Sequence, residues 1–144
     1  MVPKRFGSGA FSFRNVVVIK VLVTGGRDYS RVDLLWHALD CVRPDVLVHG
    51  GAWGADAIAA DWARMHGRIS RRYLPDTSID GPWPAAGPRR NRRMFDTERS
   101  GLTCVVRCPG GRGTQSMEDY ARANGFQPTW TWQGIVFLTP TSTE

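Results

Sequence analysis

The sequence predicts an α/β domain with a mainly parallel sheet. Three short apolar runs, which begin at Val21, Val46 and Cys104, each end near a pair of glycines and precede a helix-like segment. Continuous β-branched runs are typical of strands buried on both faces, and glycine after a strand permits a tight turn into the next helix. Because strand and helix patterns alternate from residue 16 onward, a parallel sheet is favoured over an all-β arrangement.

Size and composition limit the possible classes of protein. The 144 residues suffice for one hydrophobic core, so we predict a single domain over residues 16–144 and a disordered tail over residues 1–15. No apolar stretch approaches the roughly 20 residues of a membrane span. The three cysteines lack C-x-x-C spacing and the three histidines are scattered, so we expect a cytoplasmic location and no metal. No cofactor is expected either.

Four helices are predicted from apolar residues at helical spacing. The first follows Ser30, which suits the N-cap position. The second covers about residues 55–66 and is followed by a glycine suited to a C-terminal cap. An arginine-rich helix is expected over about residues 89–99, and a last helix over residues 114–124. Helices between parallel strands pack against the faces of the sheet.

The remaining segments are predicted as strands or loop. Residues 71–74 and 103–108 have strand patterns, and the chain from about residue 129 to 138 is either one strand or a hairpin. Residues 75–88 contain four prolines and two glycines, so no regular element is expected there. Long irregular loops in compact domains are often functional, so this loop is a candidate part of a site.

The glycine turns indicate a ligand that carries phosphate. Glycine at a strand end presents backbone N–H groups, and the N-terminus of the following helix favours an anion. Neither the G-x-G-x-x-G spacing of dinucleotide-binding turns nor the G-x-x-x-x-G-K-[S/T] pattern of P-loops occurs. Ordinary Rossmann cofactors and P-loop triphosphates therefore lose support.

Four motifs occur in a fixed order. They are T-G-G-R-D-Y (24–29), H-G-G-A-W-G-A-D (49–56), G-P-R-R-N (87–91) and P-G-G-R-G-T (109–114). In this order they resemble the YspA-type, YpsA-related branch of the SLOG superfamily, which also includes the LOG phosphoribohydrolases and the DNA-processing protein DprA. The resemblance covers about residues 16–125. It implies a Rossmann-like three-layer sandwich whose strand ends bind a nucleotide or a nucleotide-derived ligand such as an ADP-ribose relative.

The motifs that carry this resemblance also supply candidate ligand-binding residues. These are Thr24, Gly25, Gly26, Arg27, Asp28, Gly50, Gly51, Trp53, Gly54, Asp56, Arg90, Asn91, Gly110, Gly111, Arg112, Gly113 and Thr114. The glycines allow bare backbone to approach a phosphate, and Thr114 either caps the helix or bonds the phosphate. Arg90 and Asn91 are placed to reach a phosphate or nucleobase across the strand ends.

Each charged or aromatic candidate also has a structural explanation. Arg27 and Arg112 suit bidentate hydrogen bonds to phosphate oxygens, but solvated surface arginines have the same pattern. Asp28 and Asp56 either accept hydrogen bonds from ribose hydroxyls or serve a turn and a helix N-terminus, respectively. Trp53 either stacks on a base or packs over its turn.

Catalysis has weaker support than binding. The LOG hydrolases carry P-G-G-x-G-T-x-x-E, and Met117 stands where that pattern has its glutamate. Glu118 follows one residue later, which rotates its side chain by about 100° around the helix. We expect Met117 to face the interior and Glu118 to face solvent or a partner. Glu118, Asp28 and Asp56 remain as weak candidates for a catalytic carboxylate.

The sequence therefore favours a module that binds, senses or sequesters a nucleotide-derived small molecule. One alternative is an N-glycoside or phosphoribosyl hydrolase of the LOG type. Another is a single-stranded nucleic-acid binder of the DprA type, which would use the arginines at positions 89, 90, 92 and 93. No membrane partner is expected, and a homo-oligomer is left open.

Overall fold

The computed structural model describes residues 17–141, in which six strands and five helices follow one another along the chain. The strands are β1 (Lys20–Thr24), β2 (Val46–His49), β3 (Ile69–Arg72), β4 (Leu102–Arg107), β5 (Phe126–Trp132) and β6 (Ile135–Pro140). The helices are α1 (Val32–Val42), α2 (Ala55–Met65), α3 (Thr77–Asp80), α4 (Ala86–Glu98) and α5 (Arg112–Ala123). The predicted tail, residues 1–15, lies outside the described residues.

All six strands form one sheet in the order β3-β2-β1-β4-β6-β5. The first four are parallel, while β6 runs antiparallel to both β4 and β5. The chain therefore extends the sheet to one side of β1 and then returns to place β4 on its other side. In open α/β sheets such a reversal opens a crevice at the carboxyl ends of the strands, where ligands bind.

Helices cover both faces of the sheet. Val21 and Val23 of β1 join the core cluster that includes α1 and α2, whereas Leu22 joins the cluster of α4 and α5. This alternation follows from the two-residue side-chain period of a strand. Trp62 of α2 is buried and its indole N–H donates to Asp40 of α1 at 2.8 Å. The prediction of a single-domain, Rossmann-like three-layer sandwich is confirmed.

Two local predictions were wrong. Ser30 does not cap α1, because the helix begins after Arg31 and has no side-chain cap. The segment 75–88 is not wholly irregular, since the single turn of α3 lies within it and α4 begins at Ala86. Asp76 caps α3 by accepting a hydrogen bond from the backbone N–H of Ser78 at 2.9 Å. Pro88 is tolerated in the first turn of α4, because backbone N–H groups in the first turn of a helix have no intrahelical acceptor and the missing N–H of proline costs no hydrogen bond.

The last two strands, β5 and β6, form an antiparallel hairpin. Gln133 and Gly134 connect the strands with φ angles of 51° and 79°, the backbone that a two-residue hairpin turn requires. Trp130 of β5 stacks on Phe137 with ring centroids 4.7 Å apart. Within residues 17–141, no helix combines the length and apolar character needed to cross a membrane.

Candidate ligand-binding cleft

A cleft of about 640 Å³ lies at the carboxyl ends of the parallel strands. Most of the sequence-predicted ligand residues line it: Thr24, Gly25, Gly26, Arg27, Gly50, Gly51, Trp53, Asp56, Arg90, Asn91, Gly111, Gly113 and Thr114. The other predicted residues, Asp28, Gly54, Gly110 and Arg112, do not line its wall. The fold thus brings residues from all four motifs to one cavity, and their role in binding stays a prediction.

Some residues of the cleft wall were missed by sequence reasoning. They are Val23, Ala52, Leu74, Pro75, Trp83, Gly87, Pro88 and Met94. Several belong to the proline-rich segment 75–88, which the sequence marked as a candidate functional loop. The high proline content was therefore the available signal, but it did not indicate which side chains of the segment face the cavity.

The turns after β1 and β4 are joined directly. The backbone N–H of Gly26 donates to the carbonyl of Pro109 at 2.8 Å. A Cβ at Gly25 would lie 2.5 Å from the Cβ of Ala55 and 2.7 Å from that of Cys108, so a larger residue would force the turns apart. Internal packing is thus sufficient to explain glycine at this position.

Asp56 fixes the backbone of the turn after β2. Its Oδ2 accepts hydrogen bonds from the N–H groups of Gly50 at 3.0 Å and Ala52 at 3.2 Å. Oδ1 has no hydrogen bond from the described residues and is not sealed from solvent, so it is available to a ligand in the cleft. Burial raises the pKa of Asp56 to about 6, although both N–H donors and Arg90 oppose the shift.

His49 also contacts the turn after β2. Its Nδ1 accepts from the backbone N–H of Gly51 at 3.0 Å, and its Nε2 lies 3.0 Å from the hydroxyl of Ser70. Burial lowers the pKa of His49 to about 4, and the positive charges of Arg72 and Arg90 act in the same direction. A neutral imidazole that accepts at Nδ1 and donates at Nε2 satisfies both contacts, as expected for a structural histidine.

The Arg-Asn pair of the third motif links three parts of the site. Nη1 of Arg90 donates to the carbonyls of Gly50 at 2.6 Å and Tyr73 at 2.8 Å, and its Nε donates to Oδ1 of Asn91 at 2.9 Å. Nδ2 of Asn91 donates to the carbonyl of Gly113 at 3.3 Å. Together the two side chains therefore link the second glycine turn, the end of β3 and the start of α5. These internal contacts exist without a ligand.

The N-terminus of α5 differs from the other glycine turns. Its N-cap residue, Gly111, makes no side-chain cap, and no acidic residue lies in the first turn. Apart from its sequence neighbours and its own helix backbone, a Cβ at Gly111 or at Gly113 would meet no atom of the described residues within 4 Å, and neither residue has a positive φ. Neither packing nor backbone conformation within residues 17–141 explains these two glycines. They leave open space beside backbone N–H groups at the positive end of a helix.

The carboxylates predicted as catalytic candidates occupy three different environments. Met117 is buried in the α4–α5 cluster, as expected. The expectation that Glu118 faces solvent or a partner was wrong: it is only 5% exposed and accepts from Nε of Arg107 at 2.9 Å. Arg107 of β4 compensates the burial of this charge, so the side chain turns toward the sheet. Asp28 is exposed outside the cleft wall, and of the three candidates only Asp56 lines it.

The arginines of α4 do not form one free basic surface. Arg93 pairs with Asp80 through two hydrogen bonds of 2.9 and 2.8 Å. Arg92 lies over the ring of Tyr120, at 5.9 Å from its centroid. Since Arg90 is held by backbone carbonyls, half of the arginine group at positions 89–93 is engaged in internal hydrogen bonds.

Together the fold and the cleft define a Rossmann-like α/β domain with a glycine-lined site at its strand ends. Residues 19–78 match the model of the YAcAr family, described as the YspA, cpYpsA-related SLOG family. The match runs from the start of the sheet into α3 and confirms the family resemblance over the first two motifs. At the level of the family it supports a nucleotide-related binding role or a LOG-like role. The comparison with curated proteins gives no match.

Proposed function

We propose that this protein binds a nucleotide or a nucleotide-derived ligand, such as an ADP-ribose relative, and senses or sequesters it. The observation that carries the proposal is the unfilled space at Gly111 and Gly113, beside the uncapped N-terminus of α5. A phosphate there would accept hydrogen bonds from backbone N–H groups and interact favourably with the helix dipole. The match to a SLOG family supports the same class of ligand.

Two neighbouring side chains suit a phosphate at this position. Arg27 is exposed, lines the cleft and makes no ion pair with the other described residues, so its guanidinium is available to phosphate oxygens. Thr114 lies in the first turn of α5 and also lines the cleft. A site built from backbone N–H groups, one hydroxyl and one guanidinium recognises a phosphate without a metal ion.

Binding without hydrolysis is favoured by the placement of the carboxylates. N-glycosidic cleavage uses a carboxylate that stabilises an oxocarbenium-like state or activates water. The LOG position is occupied by the buried Met117, and Glu118 is paired with Arg107. In the described part of the chain, the cleft wall therefore lacks the carboxylate that the LOG route uses.

A hydrolase that uses Asp56 is the second candidate, and one observation favours it. Asp56 is the only acidic residue among those lining the cleft in the described segment, its Oδ1 is open to the cleft, and burial raises its pKa to about 6. A carboxyl group with such a pKa in a cleft is typical of acid–base catalysis. Release of free base from adenosine monophosphate, abolished by Asp56→Asn, would support this candidate over simple binding.

Calorimetric titration of adenosine monophosphate, ADP-ribose and ribose 5-phosphate tests the proposal. Gly111→Val adds a branched side chain to the open space. We expect this variant to raise the Kd of each phosphate ligand that the wild-type protein binds by at least about tenfold. Gln115→Val is the matched control, because Gln115 is exposed on the same helix and does not line the cleft. Unchanged binding in Gly111→Val, or no binding of any of these ligands by the wild-type protein, would contradict the proposal.

A further inference from the structure

Two exposed tryptophans line the same cleft as the N-terminus of α5. Trp53 follows the second glycine pair and is 79% exposed, and Trp83 lies between α3 and α4 and is 60% exposed. Neither indole has a hydrogen bond or a ring contact with another described residue. The chain buries a comparable indole at Trp62, which is 1% exposed. Packing within the described fold therefore does not account for two large apolar rings at the edge of one cavity.

The strand order shows that these tryptophans follow other strands than the one that leads into the phosphate position. The open N-terminus of α5 follows β4, whereas Trp53 follows β2 and Trp83 belongs to the segment after β3. In the order β3-β2-β1-β4, β2 and β3 are two and three strands away from β4. With neighbouring strands about 4.8 Å apart, the ends of β2 and β3 lie about 10–14 Å from the end of β4 within the sheet.

Asp56 also lines the cleft, in the first turn of the helix after β2. Its Oδ2 is held by the backbone N–H groups of Gly50 and Ala52, and its Oδ1 accepts no hydrogen bond from the described residues. A carboxylate oxygen in this position suits the hydroxyls of a ribose. The cleft thus presents an anion-binding helix end, an acceptor for hydroxyls and two aromatic faces, which are the kinds of group that recognise the phosphate, ribose and base of a nucleotide.

We propose that Trp53 and Trp83 form the base subsite of this cleft, against which the nucleobase of the ligand stacks. The ligand lies across the strand ends with its phosphate at α5 and its base over β2 and β3. Stacking on an indole face tolerates different bases, so this subsite selects nucleotides over base-free sugar phosphates rather than one base over another. The inference rests on the proposed function, since it orients a ligand in the same site.

The double variant Trp53→Leu/Trp83→Leu tests the subsite, because leucine keeps apolar volume but removes the aromatic face. Both positions are exposed, so the fold is expected to survive, as circular dichroism and a melting curve will establish. Calorimetry compares adenosine monophosphate with ribose 5-phosphate, which carries phosphate and ribose but no base. We expect adenosine monophosphate to bind about tenfold more weakly than to the wild-type protein, and ribose 5-phosphate to bind equally well.

Trp130→Leu is the matched control. Trp130 is 48% exposed on β5, outside the cleft, so its loss removes an exposed indole without touching the site. Adenosine monophosphate should bind this variant as it binds the wild-type protein.

The possible failures are distinguishable. The base subsite is refuted if the double variant binds adenosine monophosphate as tightly as the wild-type protein does. It is also refuted if the affinities for adenosine monophosphate and ribose 5-phosphate fall by the same factor. In either case phosphate binding at α5 by the wild-type protein stands. If the wild-type protein binds neither ligand, the proposed function fails, and the subsite fails with it.

Discussion

Replacing Gly113 by alanine should make the protein more stable and its ligand binding weaker. Gly113 is the second residue of α5, and beyond its own helix an added Cβ would meet no atom of the described residues within 4 Å. Glycine inside a helix is less favourable than alanine by about 0.5–1 kcal/mol, and near a helix end we expect the lower value. The free energy of unfolding should therefore rise by about 0.5 kcal/mol, which corresponds to an increase of about 2 °C in Tm.

The same methyl group would occupy the space assigned to the phosphate. Displacing the anion from one backbone N–H removes a charge-assisted hydrogen bond of about 1.5–3 kcal/mol, so Kd should rise at least about tenfold. Chemical denaturation gives the change in stability, and calorimetric titration with adenosine monophosphate gives the change in Kd.

The control for Gly113→Ala is Ser116→Ala, which improves helix propensity on α5 without lining the cleft. It should add stability and leave Kd unchanged. If Gly113→Ala binds as tightly as the wild-type protein, or if it destabilises the fold, then the space beside α5 is not a phosphate site.

Other predictions follow from the polar contacts of the site. In the folded protein the pKa of His49 is lowered to about 4 from an ordinary value of 6.5. Between these pH values the histidine is protonated in the unfolded chain but not in the folded protein. The free energy of unfolding should therefore fall by up to about 3 kcal/mol as the pH drops from 6.5 to 4. His49→Asn, which keeps an acceptor, should lose that dependence in urea denaturation at several pH values, and an unchanged pH slope would refute the assignment. Asp56 should act in the opposite direction, because its pKa is raised to about 6 in the folded protein. Its contribution to the free energy of unfolding should fall as the pH rises from about 4 to about 6. Asp56→Asn should remove this pH dependence in the same denaturation series. Arg90→Lys should lower the free energy of unfolding by about 2 kcal/mol, since one ammonium cannot reproduce the guanidinium contacts, and a stability equal to wild type would refute the linking role. In the native protein Ellman's reagent should modify Cys41 alone, because the other two cysteines are buried with pKa values raised to about 12, whereas fast reaction of more than one thiol would contradict the burial.

The sheet and the location of the cleft could be predicted because they depend on local patterns. β-branched runs that end at glycine pairs identify parallel strands, and the carboxyl ends of parallel strands meet at one edge. The one-turn helix α3 was not predicted, because prolines on both sides of it dominate the pattern while its cap depends on Asp76. Local propensity is a weak guide to such short elements.

The environment of single side chains depended on contacts that are distant in sequence. Glu118 is buried because Arg107, eleven residues earlier, ends β4 beside it. Arg90 donates to the backbone carbonyl of Gly50, which lies forty residues away in sequence but beside it in space. The sequence indicated that Trp53 was a possible stacking residue, but only the fold places Trp83 on the same cleft.

The most direct test of the central claim is a titration of the ¹⁵N-labelled protein with adenosine monophosphate, followed by amide chemical shifts. At 16.0 kDa the protein is well suited to residue-by-residue assignment. Binding as proposed will move the amide signals of Gly111, Gly113 and Thr114 most, together with that of Gly26 in the adjoining turn. Saturable shifts confined to the β5–β6 hairpin, or no shifts at millimolar ligand, would contradict a phosphate-binding cleft at the strand ends.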